Sequence, residues 1–77
     1  MTYFGMIGSY NHRRGEGTIS PEKGGKALSF KKSDVQQANQ EPQVGQRFTY
    51  ETYEIYGGKK RAIYLQHEDE EASEIKN

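Results

Sequence analysis

The chain has 77 residues, about half the usual length of a domain, so it holds one small domain and at most a tail. Eleven Lys and Arg balance eleven Asp and Glu, and a net charge of zero argues at face value against a nucleic-acid binder or a membrane-surface protein. That zero is the sum of two opposed parts. Residues 1–66 carry ten basic and six acidic side chains, a net of +4, whereas residues 67–77 carry Lys76 against Glu68, Asp69, Glu70, Glu71 and Glu74, a net of −4.

Hydrophobic residues make up 31% of the chain, but all six Tyr and three Phe lie in residues 1–66, which concentrates the core there. A domain of that size buries only ~60% of its unfolded surface and folds with a small margin. The chain has no cysteine, which excludes disulfides and thiolate chemistry. Met1 to Tyr10 has neither a basic start nor a continuous apolar stretch, so it does not read as a signal peptide, and no segment approaches the ~20 apolar residues of a membrane span. A cytoplasmic location is the expectation.

Taken in order, Tyr3 to Tyr10 is rich in strand-favouring residues and reads as a first strand. Gly17 to Ser20 reads as a second, closed by Pro21, and the pair Gly24-Gly25 marks a tight reversal. Lys26 to Lys32 is a third strand, with Leu28 and Phe30 on one face and Ser29 and Lys31 on the other. Ser33 to Gly45 turns polar and reads as a long loop with one helical turn at most. Arg47 to Tyr56 alternates again, with Phe48, Tyr50 and Thr52 facing inward, and Gly57-Gly58 before Lys60 to Gln66 is a hairpin signal. The residues from His67 onward have no apolar periodicity and read as a disordered acidic tail, 67–77. The expected core is Phe4, Ile7, Ile19, Leu28, Phe30, Val35, Val44, Phe48, Tyr50 and Ile63.

Five short strands without a convincing helix predict a small all-β barrel over residues 1–66, since closure removes the exposed edges of a small sheet. An SH3-like barrel and an OB-type barrel satisfy these counts equally. The order of residues, however, resembles the cold-shock domain family, whose members are five-stranded antiparallel OB-type barrels. The resemblance rests on Gly8-Ser9-Tyr10-Asn11, Arg14-Gly15-Glu16-Gly17-Thr18-Ile19-Ser20-Pro21, Gly24-Gly25, Leu28-Ser29-Phe30-Lys31-Lys32-Ser33 and Gly45-Gln46-Arg47-Phe48-Thr49-Tyr50-Glu51. It covers nearly all of residues 4–66, and its spacing from Gly5 to Val35 has no gap.

The resemblance implies binding of single-stranded RNA or DNA by stacking bases on outward aromatics, with basic side chains on the backbone. Residue by residue the platform is missing. The family's tryptophan position holds Ser9, the two phenylalanines of its first motif are Glu16 and Thr18, and the outward phenylalanine of its second is Ser29. Its histidine and last phenylalanine are Lys31 and Lys32, and only Tyr10 remains aromatic. One base–aromatic stack is worth ~1–3 kcal/mol, so losing three weak ones lowers affinity on the order of a hundredfold.

The candidate nucleic-acid-binding residues are therefore Tyr10, as a single stacking ring or as strand packing, and the basic His12, Arg13, Arg14, Lys26, Lys31, Lys32, Lys59, Lys60 and Arg61. Tyr53 and Tyr56, outward or near a turn by alternation, offer either a displaced stacking surface or a protein contact, with turn packing the plainer role for Tyr56. Catalysis has little to stand on: His12 and His67 have no cysteine partners, no spacing resembles a metal site, and Gly15-Glu16-Gly17 lacks the rest of a phosphate loop. No cofactor is implied. Two functions follow: a weak, unselective single-strand binder acting in RNA remodelling or gene regulation, or a barrel that has given up nucleic acid and serves as a protein-interaction module. The acidic tail either solubilises the chain or competes for the positive face.

Overall fold

The computed structural model describes residues 2–36 and 41–68. Five strands form: β1 (Tyr3–Asn11), β2 (Glu16–Pro21), β3 (Leu28–Lys31), β4 (Arg47–Glu54) and β5 (Lys60–His67). Single 3-10 turns follow β3 (Lys32–Asp34) and precede β5 (Tyr56–Gly58). The strands close into a barrel in the order β1-β2-β3-β5-β4. Neighbours run antiparallel except at the seam, where β3 and β5 run parallel through Ser29 and Arg61, reinforced by a parallel bridge from Val35 to Leu65. The glycine pairs turn the chain as their composition predicts, with φ of 105° and 106° at Gly24 and Gly25 and of 76° and 80° at Gly57 and Gly58. The residues read as a tail lie outside the described residues from 69 onward, while His67 belongs to β5 and tilts against Phe48 at 5.1 Å.

Ile7, Ile19, Phe30, Val35, Phe48, Tyr50, Ala62 and Leu65 form the core, with Tyr3, Tyr10 and half-buried Leu28 packed against it. Three expected core residues are not in it. Phe4 faces out, 38% exposed, because Gly5 and Ile7 take the inward positions of β1 and a strand alternates. The Arg47 guanidinium covers it instead, 4.1 Å above the ring centre. Val44 is 67% exposed in the connection to β4. Ile63 is half-buried and yields its place to Ala62 and Leu65. These two face inward at a spacing of three because β5 advances three residues, Ile63 to Gln66, where β4 advances two, Glu51 to Thr49. Tyr64, with φ of 52°, lies inside that bulge.

A second bulge matters for function. β1 passes from Ile7 to Ser9 while β2 passes only from Ile19 to Thr18, so Gly8 is an extra residue. It reverses the alternation, turning Ser9 outward and Tyr10 onto the core.

Candidate functional site

Outward side chains of neighbouring strands line up across the barrel, because directly paired residues share a face. One row runs from Ser9 to Thr18 to Ser29 and continues across the seam to Arg61 and then Tyr53. A shorter row beside it joins Asn11, Glu16 and Lys31. The first row as far as Arg61, the second row and Arg14 border an open groove of about 330 Å³, with Tyr53 beyond its rim. Gly17 and Phe30 line it from beneath, and the approach there requires glycine: a Cβ at position 17 would lie 2.4 Å from the Ser9 carbonyl oxygen and 2.9 Å from the Phe30 ring.

The groove is polar and mixed in charge. Ser9 Oγ and Thr18 Oγ1 share a hydrogen bond of 2.9 Å. Asn11 is occupied locally, its Oδ1 accepting from the backbone N–H of Arg13 at 3.0 Å and of Arg14 at 3.1 Å, which shapes the β1–β2 turn. Arg14, Glu16 and Lys31 are exposed and have no ion-pair partner among the described residues.

Two acids that the charge count did not assign a place hold much of the expected basic surface. Asp34 accepts two hydrogen bonds from one Arg61 guanidinium nitrogen, at 2.9 and 2.8 Å, and the backbone N–H of Lys31 at 3.0 Å. Glu41 accepts from Lys32 Nζ at 3.4 Å and lies 4.0 Å from His12 Nδ1. Of the remaining cations, Arg13, Lys26 and Lys59 are exposed in connections between strands, while Lys60 borders a different cavity, of about 400 Å³, with Tyr3, Leu28 and Tyr50. Lys60 is therefore not part of the groove.

Tyr10 takes the packing role of its two. Its ring stacks on the buried Phe30 at 6.1 Å and 11°, and its hydroxyl is buried without a hydrogen-bond partner among the described residues. Burial, with Glu41 adding to it and Lys32 opposing, pushes the phenol above its usual pKa. Tyr56, expected against its turn, is instead 95% exposed, and Tyr53 is 56% exposed. Among the described residues no three His, Cys, Asp or Glu side chains gather as a metal site would need, and no described helix is long and apolar enough to cross a membrane.

Neither a family model nor a curated protein matches the sequence. The structure is more informative. The solved structure of Drosophila Unr CSD456 superposes on 90% of the chain with a TM-score of 0.76 at 19% sequence identity. The fold is that of a cold-shock domain. The chain spans 27% of the length of that protein's chain. Within the cold-shock fold, the positions at which the sequence resemblance places outward aromatics are occupied here by the Ser9–Thr18–Ser29 row and by Glu16.

Proposed function

We propose that the protein binds single-stranded nucleic acid, RNA or DNA, mainly through the phosphate backbone, weakly and with little base preference. The observation that carries this reading is the groove itself. On the β1–β2–β3 face of a cold-shock fold, Arg14 and Lys31 stand exposed without ion-pair partners among the described residues, beside the hydroxyls of Ser9, Thr18 and Ser29. Cations and hydroxyls are the groups that contact phosphate and sugar, and they read no sequence. No aromatic ring is presented in the groove, because Tyr10 is turned onto Phe30, so strength and base preference both fall below those of a stacking platform. Glu16 lowers it further by repelling phosphate. Such a protein suits RNA remodelling or gene regulation in the cytoplasm, where brief contacts with many sequences are useful.

Titration with labelled oligonucleotides at several salt concentrations tests the reading. Phosphate contacts from Arg14 and Lys31 give log affinity falling with log salt at a slope of about −1.4 for single strands. No detectable binding at low salt would overturn it.

A further inference from the structure

The row that borders the groove does not stop there. Ser29 pairs with Arg61 across the seam, and Arg61 pairs with Tyr53, so the hairpin joining β4 and β5 presents its outer face beside the groove. With strands ~4.8 Å apart, Tyr53 stands roughly 10 Å from Ser29 with Arg61 between them. Beyond Tyr53 on the same face come Ile55 and Lys59, held opposite one another by a 2.6 Å bond from the Ile55 N–H to the Lys59 carbonyl. Tyr56 at the tip is 95% exposed, Tyr53 56% and Ile55 36%.

We propose that Tyr53 and Tyr56 are the base-stacking surface of this protein, moved from the β1–β3 face to the β4–β5 hairpin. The proposal rests on the nucleic-acid reading above: a strand whose phosphates lie along Arg14 and Lys31 continues over the seam and lays its bases on the two tyrosines. Charge and continuity choose the occupant. Lys59 is exposed in the same hairpin, aromatics interleaved with cations being the recipe for single-strand binding, and the surface is unbroken from Lys31 and Ser29 through Arg61 to Tyr53. The acids nearby are Asp34, which holds the Arg61 guanidinium between the groove and Tyr53, Glu51, on the same face two residues before Tyr53, and Glu54, paired with Lys60 on the opposite face. A protein partner would instead favour an anchor depleted of charge at its centre.

The chain has no Trp, so Tyr53→Trp supplies a single indole reporter. Titrated with a short single-stranded oligonucleotide at low salt, its fluorescence is quenched on binding. Tyr53→Ala and Tyr56→Ala each weaken binding roughly 5- to 100-fold, Tyr53→Phe does not, and none of them changes the salt slope. An oligonucleotide with abasic sites loses affinity for the unaltered protein and loses little more for Tyr53→Ala. Binding that is indifferent to both alanine variants, with no quenching of the Tyr53→Trp indole, would overturn the proposal and leave the groove reading intact. Absence of binding by any variant and by the unaltered chain would overturn both.

Discussion

Asp34 grips Arg61 with both carboxylate oxygens, at 2.9 and 2.8 Å, while accepting the backbone N–H of Lys31 at 3.0 Å. One carboxylate thus ties the end of β3 to β5 and occupies the Arg61 Nη2, while Nε is buried without a hydrogen-bond partner among the described residues. Replacing it as Asp34→Asn should cost about 1–3 kcal/mol, the range for hydrogen bonds to charged groups. The same change frees Arg61 for phosphate, so the low-salt affinity of the folded variant should rise and its salt slope steepen by ~0.7. Urea denaturation and oligonucleotide titration read the two effects separately. A loss of stability with an unchanged slope would make Arg61 purely structural.

Glu16 is paired across the strands with Lys31 and lies in the groove without an ion-pair partner among the described residues. Near a phosphate, one such exposed carboxylate opposes binding by about 1 kcal/mol. Glu16→Gln should therefore tighten binding roughly fivefold at low salt and have a smaller effect as salt screens the repulsion. Weaker binding by this variant would mean that the carboxylate itself contacts the ligand.

Gly17 is where the groove depends most on backbone approach. The Cβ of Gly17→Ala would meet the Ser9 carbonyl at 2.4 Å, and that atom belongs to the neighbouring strand and cannot swing aside. A destabilisation of about 3 kcal/mol is expected, the upper range for overpacking, with β1 and β2 forced apart. Ser29→Ala, on the exposed side of the same groove, should scarcely change the melting temperature. Equal melting temperatures for the two variants would show that the strands accommodate a methyl group there.

Two tyrosines predict an alkaline limit. Burial, and secondarily Tyr3, pushes the Tyr50 phenol above its usual pKa, and burial does the same for Tyr10. For a group whose folded pKa is raised, the stabilisation is fully present below the unfolded value, ~10, and is lost as pH climbs through the folded value. Melting temperature should thus be insensitive to these groups up to about pH 9 and decline above about pH 10. Tyr50→Phe should soften that decline, and Tyr10→Phe should do so at almost no cost at neutral pH, since its hydroxyl has no hydrogen-bond partner to lose among the described residues. A decline as steep in both variants would assign it to other groups.

The barrel was legible because its signals are local and repeated. Alternation placed Phe30, Phe48 and Tyr50 inside, and the paired glycines marked both tight turns. What period-two reading misses is the bulge, which costs one residue and inverts everything after it. Counting straight through β5 selects Ile63, whereas the bulge at Tyr64 brings in Ala62 and Leu65. The site was legible as a loss of aromatics and an excess of cations, but not as an arrangement of pairs. Asp34 and Arg61 lie 27 residues apart and carry no local signal of their meeting. Nor does sequence reveal that Tyr10 turns inward, which follows from Gly8 being an extra residue opposite Ile19 and Thr18. The exposure of Tyr56 depends on how sharply Gly57 and Gly58 fold the hairpin back, leaving its ring with nothing beneath it.

The parallel seam gives this geometry a thermodynamic side. β3 and β5 share one ladder pair, Ser29 with Arg61, beside the single Val35–Leu65 bridge, so this is the thinnest join in the barrel. A strand lying on Lys31 at one end and Tyr53 at the other straddles that join, and neither half of its footprint is in place until the cylinder has shut. Such a ligand acts as a clasp: it recognises only the closed form, and by mass action it raises the work needed to open it. Amide exchange along β3 and β5 should slow with added oligonucleotide more than along the β1–β2 hairpin, where the ladder is already long.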